Sequence, residues 1–192
     1  MIHETIVTTL NADGSAHIAP MGIRMQDDRI IIAPFKPSTT LQNLRRDGQA
    51  VINLTDDVRV FAGCLTGRYD WPTRPAMNVA GRHLESALIH IEVEVVRVEE
   101  EELRPRFHCR ERFRQVHGEF RGFNRAQAAV LEAAILVSRL DRLPAEQIDR
   151  EFAYLRNAVE KTAGEREQTA WAWLTEHVER FRAADRREAQ CR

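Results

Sequence analysis

Short β-branched and apolar runs bounded by turn sequences fill the first half, a period of two is clear over residues 86–99 and 104–116, and apolar positions recur every three to four residues over the last third. The first half therefore predicts strands and the end predicts helices. Residues 4–10 are rich in β-branched side chains and predict a strand, closed by Asn11-Ala12-Asp13-Gly14, a turn sequence. Residues 16–25 predict a second strand. Pro20 and Gly22 lie in its middle, where they mark a bulge, an edge, or a place where a ligand meets backbone. Asp27-Asp28 predicts the next turn and residues 29–33 a third strand, so the segment reads as a β-meander.

A break at Pro34-Phe35-Lys36-Pro37 leads through Ser38, Thr39 and Thr40 into a short helix over residues 41–46, ended by Gly48. Residues 50–54 predict another strand and residues 59–64 one more. Residues 67–82 read as an irregular loop with Pro72, Pro75 and Gly81. Tyr69 and Trp71 lie there among Arg68 and Arg74, a mixture enriched at interfaces. Residues 86–99 and 104–116 predict a long hairpin. Ile89, Ile91, Val93 and Val95 share one face and His90, Glu92 and Glu94 the other. Phe107, Cys109 and Phe113 alternate with Arg106, His108, Arg110, Arg112 and Arg114. Such an arginine row either binds nucleic acid or pairs with acids across the hairpin; Glu92 and Glu94 next door favour pairing.

Beyond Gly118 and Gly122 the period changes. Asn124 and Gln127 form a capping box for a helix over residues 126–140. Pro144 opens a second helix with Ile148, Phe152, Leu155 and Val159 in one stripe, and Gly164 closes it. A third spans residues 165–184, with Trp171, Leu174, Val178 and Phe181 on one face, before a polar tail expected to fray. Arg125, Glu132 and Arg139, seven apart on the first of these helices, form a polar stripe that is either solvated or paired, or lines a substrate pocket. The expected organisation is α+β, with a strand-rich domain over residues 1–120 and a three-helix region over 121–192.

Composition narrows the function. The 28 basic and 29 acidic residues leave a net charge of -1, so whole-molecule attraction to nucleic acid or an anionic membrane is not expected. No apolar run approaches a membrane span, and the N-terminus lacks the apolar core of a signal peptide. Cys64, Cys109 and Cys191 are too few and too scattered for a disulfide framework, which points to the cytoplasm. The seven histidines have no metal-ligand spacing, and no metal site is expected. Dinucleotide-binding, P-loop, zinc-protease and nucleophile-elbow motifs are absent from the sequence.

The segment Lys36-Pro37-Ser38-Thr39-Thr40-Leu41-Gln42-Asn43 gathers a cation and three hydroxyls at a helix start. Unpaired N–H groups and the helix dipole there suit a phosphate monoester. Helix capping alone needs one hydroxyl. Ala19-Pro20-Met21-Gly22 and the strand end Asn53-Leu54-Thr55 are turn chemistry by themselves, or backbone and polar groups offered to the edge of a flat ring.

In this order the segments resemble the split-barrel flavoproteins, a superfamily that includes flavin reductases and pyridoxamine-phosphate-oxidase-like proteins. Gly122-Phe123-Asn124-Arg125-Ala126 with Glu132 and Arg139 on the same helix, Val159-Glu160-Lys161-Thr162, Gly164-Glu165-Arg166-Glu167 and Ala170-Trp171 look like one uncharacterised family within it, known from methanogens and methylotrophs. The resemblance covers about residues 4–182. It implies an antiparallel split β-barrel followed by the three helices, with FMN at a homodimer interface. By the same resemblance Ser38, Thr39, Thr40 and Asn43 hold the phosphate, with Lys36 a weaker match, and Pro20, Met21, Gly22, Asn53, Leu54 and Thr55 flank the ring. The implied function is an FMN-dependent oxidoreductase, its substrate unknown or pterin-like; the alternative is a flavin carrier or sensor. The resemblance assigns no catalytic residue.

Overall fold

The computed structural model describes residues 1–26 and 29–190, the last three by backbone alone. The turn expected at Asp27-Asp28, and Cys191, lie outside the described residues. The chain divides into two compact units, Met1–Asp56 with Asp70–Phe120, and Asp57–Tyr69 with Arg121–Arg192.

The first unit is an antiparallel barrel. Its strands are β1 (Ile2–Leu10), β2 (Ala16–Gln26), β3 (Arg29–Ile32), β4 (Gln49–Leu54) and, numbering on past a small ribbon, β7 (Ile89–Glu99) and β8 (Arg106–Val116). They close in the order β1-β2-β3-β8-β7-β4. The turn between β1 and β2 forms as its sequence predicts. The Gly14 N–H donates to Asn11 O at 2.9 Å, and Gly14 takes the positive φ of 82° that glycine adopts without steric cost. Alternation sends Val7, Ile23, Ile32, Ile52, Ile91, Val93, Phe107 and Cys109 into one buried cluster. Helix α1 (Thr39–Asp47) adds Leu41 and Leu44 to that cluster, so the helix is anchored by its apolar face. Losing a side chain such as Phe107 from this packing costs about 3–5 kcal/mol. Burial pushes the Cys109 thiol up to about 12.

Three expectations change here. Pro20 and Gly22 do not bulge β2, which pairs residue for residue with β1, Ile6 opposite Pro20 and Glu4 opposite Gly22. Pairing with β3 begins only at Ile23, so Pro20 sits on a stretch bonded to one neighbour, where a missing N–H is tolerated. The loop over residues 67–82 contains a ribbon of β5 (Thr73–Pro75) and β6 (Arg82–Leu84). Glu92 is not on a solvated face: it is fully buried, at an irregularity in the β7–β8 register between Glu92 and Val93.

The second unit is helical. Residues 59–64 form no strand; they lie in α2 (Val58–Leu65), capped by the Asp57 side chain, which accepts from the Arg59 N–H at 3.2 Å. A short continuous apolar run fits a buried strand and a buried helix equally well. Here Val58 and Ala62 stack one turn apart and join Val130, Ala133, Ala134 and Val137 of α3 (Arg125–Val137). Ile148 and Phe152 of α4 (Ala145–Thr162) and Ala170, Leu174 and Val178 of α5 (Glu165–Gln190) complete that core. The Asn124 cap forms, accepting from the Ala126 N–H at 2.7 Å, but Gln127 donates to Glu167 at 3.2 Å instead of closing a capping box. Glu167 in turn accepts the Gly164 N–H at 2.9 Å and so caps α5. The tail expected to fray continues α5 to Gln190. Arg125, Glu132 and Arg139 are all exposed, a solvated stripe. No described helix is long and apolar enough to cross a membrane.

Candidate functional site

Helix α1 begins with Ser38 in extended conformation (φ -157°, ψ 154°), its hydroxyl accepting the Leu41 N–H at 3.3 Å. That bond and the Gln42 N–H to Ser38 O bond at 3.2 Å use the third and fourth amides of the helix. The Thr39 and Thr40 amides, the first two, have no acceptor within the helix. Thr39 is exposed and Ser38 half-buried, so both are within reach of a ligand at the helix start.

Thr40 and Asn43 face the other way. Thr40 is buried, its Oγ1 3.1 Å from His17 Nε2 on β2, and burial holds the His17 ring below its ordinary pKa. Asn43, also buried, donates to Thr9 Oγ1 at 3.0 Å and Asn11 Oδ1 at 3.3 Å and accepts from Arg46 at 3.2 Å. These two side chains fix the helix start against β1 and β2. Lys36 turns toward the β7–β8 connection, donating to Glu101 O at 2.7 Å and pairing with Glu100 at 3.3 Å.

Pro20, Met21 and Gly22 are half-buried along β2, and Thr5 Oγ1 donates to Met21 O at 2.8 Å. Gly22 lines a cavity of about 110 Å³ together with Arg24, Ile31, Ala33, Arg104 and Arg106. A Cβ at Gly22 would lie 2.8 Å from Ile2 Cγ2, so the glycine lets that side chain close over the strand. Arg104 is held by two bonds to Ala33 O, at 2.9 and 3.0 Å, and lies 4.2 Å from the Phe35 ring centroid. Arg106 pairs with Glu101 at 2.7 Å. Ile2 and Glu101 line the cavity too, and the Glu101 carboxylate partly offsets the arginine charge there. In the sequence Arg106 belongs to the arginine row of the hairpin, and Arg24 and Arg104 stand in no motif. The β2–β3 and β3–β8 registers join them, and no local motif does.

The third predicted segment is structural at its first residue. Asn53 is fully buried, donating to Ile6 O at 3.0 Å and accepting the Leu84 N–H at 2.8 Å. Leu54 packs on the barrel core, and Thr55 donates to Ser86 O at 2.8 Å.

A second constellation was invisible to spacing. His83 on β6, His90 on β7 and His117 just past β8 come together. The His83 and His90 rings stack at 4.2 Å, and His90 Nδ1 is 2.7 Å from His117 Nε2. The usable signal was the hairpin register: Ile89 pairs with Val116, which brings His90 to the same end of the hairpin as His117.

No curated protein matches the chain. Among solved structures it is similar to an FMN-bound protein from Methanosarcina mazei, at 20% identity and a TM-score of 0.79, over 92% of this chain and 94% of that one. It is also similar to the 2-nitrobenzoate 2-nitroreductase of Pseudomonas fluorescens, at 19% identity and a TM-score of 0.51, over 59% of this chain and 64% of that one. The flavoredoxin of Desulfovibrio vulgaris follows at 14% identity and a TM-score of 0.53, over 60% and 70%. At 92% of the chain, the first likeness extends into the helices. The sequence itself matches the N-terminal domain of a protein family of unknown function, DUF447, over residues 3–118, and that family's second domain over residues 124–176. The chain therefore belongs to the DUF447 family.

Proposed function

We propose that this protein binds FMN at the start of α1 and uses it in oxidoreduction. The observation that carries the reading is the pairing of an anion-ready helix start with an arginine-lined cavity at Gly22 on the same barrel. The likeness to an FMN-bound structure over nearly the whole chain supports it.

The residues fit the cofactor. The Thr39 and Thr40 amides and the Ser38 and Thr39 hydroxyls would hold the phosphate, with the buried Thr40 and Asn43 side chains fixing the helix that presents them. Arg24, Arg104 and Arg106 would add positive charge from the cavity lined by Gly22, and Pro20 and Met21 would flank the ring from the same strand. Bound FMN would supply the hydride or electron transfer, and the protein its position and electrostatics. A cavity of about 110 Å³ is small against the roughly 300–1,000 Å³ of ligand pockets. In this reading a second copy of the chain would complete the site, making the active form a homodimer. Cys64 and Cys109, held as buried thiols, fit a cytoplasmic protein.

The test is direct. Purified protein should carry a flavin spectrum, and denaturation should release FMN. Release of FAD, or a colourless protein indifferent to added FMN, would refute the cofactor. Light scattering on the loaded protein should give twice the 22.1 kDa chain mass. Reduction by NADH or NADPH followed by transfer to an acceptor, pterins among those tried, distinguishes an oxidoreductase from a carrier.

A further inference from the structure

We propose that His83, His90 and His117 bind a first-row divalent transition-metal ion, a site separate from the α1 helix start. The three lie in the barrel unit, His83 and His90 buried and His117 exposed at the end of β8. One imidazole nitrogen from each lies within 4.8 Å of the other two.

The hydrogen bonds decide which nitrogens carry lone pairs. Glu92 is a buried carboxylate that already accepts the N–H groups of Met77 at 2.7 Å, Asn78 at 2.6 Å and Val79 at 3.1 Å. It is therefore an acceptor toward His90 Nε2, 3.2 Å away, and that nitrogen carries the hydrogen. His90 Nδ1 is left with its lone pair pointing at His117. His83 Nδ1 lies 3.0 Å from Leu84 O, a carbonyl that can only accept, so the lone pair of His83 is on Nε2. His117 Nε2, 2.7 Å from His90 Nδ1, shares the one hydrogen between them. On metal binding that hydrogen moves to His117 Nδ1 by way of solvent, and the cation takes its place.

This is the arrangement that metal-bound histidines keep. One ring nitrogen is locked by a carboxylate or a backbone carbonyl, and the other is presented to the ion. Imidazole ligands select zinc, copper, iron or nickel over calcium or magnesium. With Zn–N bonds of about 2.0–2.1 Å, tetrahedral ligand nitrogens stand roughly 3.3 Å apart. The His90 and His117 nitrogens must part from 2.7 Å while the His83 nitrogen moves in, and because the His83 and His90 rings are parallel within 6°, that movement includes a rotation of the His83 ring. Three protein ligands leave a fourth position for water, on the exposed His117 side.

The experiment uses chelator-treated, full-length protein with its flavin content recorded. Zinc(II) is titrated by calorimetry and cobalt(II) by visible absorption. One ion per chain and the ligand-field bands of tetrahedral cobalt are expected. His117→Ala, at an exposed position, and His83→Gln should each lower affinity at least about tenfold, while His177→Gln in the helical unit should not. If His83→Gln fails to fold, His117→Ala decides alone. Absence of binding in the wild type means a hydrogen-bonded histidine stack only and overturns the proposal. So does wild-type affinity in either folded ligand variant, or an equal loss in His177→Gln. None of these readings depends on FMN, so failure here leaves the flavin assignment standing.

Discussion

His17 on β2 and Thr40 on α1 meet at 3.1 Å, ring Nε2 to hydroxyl, and so tie the first turn of the candidate phosphate helix to the barrel wall. Thr40 thereby holds in place the Thr39 and Thr40 amides that the helix start presents. Thr40→Ala and Asn43→Ala loosen the helix start, and each is expected to weaken FMN binding about twofold to tenfold, from roughly 0.5–1.5 kcal/mol per positioning hydrogen bond. Flavin fluorescence titration measures this, with circular dichroism to check the fold. Unchanged affinity in both variants would remove α1 from the site.

The same histidine makes stability depend on pH. Burial lowers the His17 pKa from 6.5, so the unfolded chain takes up a proton that the folded chain resists. The unfolded state then binds more protons, and stability falls as pH drops below 6.5 toward the folded value. Urea midpoints measured at about pH 7.5 and about pH 5 should differ less in His17→Gln than in the wild type. An identical drop in both would show that His17 contributes nothing to it.

Asn53 is expected to matter for stability before ligand. Its side chain joins Ile6 on β1 to the Leu84 amide on β6 from a fully buried position. Asn53→Leu leaves both partners unsatisfied, at about 1–3 kcal/mol each. Denaturant unfolding of the flavin-free protein should register the loss; a variant as stable as the wild type would mean that water or another group replaces the amide.

The arginine row should not bind nucleic acid. Arg110 and Arg112 share Glu94, at 3.5 and 3.6 Å, and Arg114 pairs with Glu111 at 2.7 Å. Duplex DNA at physiological salt should show no shift in fluorescence anisotropy. A salt-dependent affinity abolished by Arg110→Glu with Arg112→Glu would reverse that reading.

Much of the fold was legible because local rules and packing agreed. The turn at Gly14, the alternation along β7, the cap at Ser38 and the stripe from Ile148 to Phe152 each need only neighbours in sequence. The misread parts depend on distant partners. Whether 59–64 is strand or helix is decided by Val130 and Ala133, some seventy residues on. Glu92 reads as solvent-facing by period two and is buried because three amides of residues 77–79 need an acceptor. At the candidate site, Ser38 and Gly22 announce themselves locally. Arg24, Arg104 and the three histidines converge only through strand register.

The excursion of α2 out of the barrel and back has a consequence for how this protein can be dismantled. The polypeptide crosses between its two units three times, after Asp56, Tyr69 and Phe120. Stopping translation at 120 would strand Val58 and Ala62 without the helices that cover them, and expressing 121–192 alone would open the same seam from the other side. Neither half is a cassette that a single cut can free. An engineer who wants the barrel alone must also replace residues 57–69 with a short polar bridge from β4 to the ribbon.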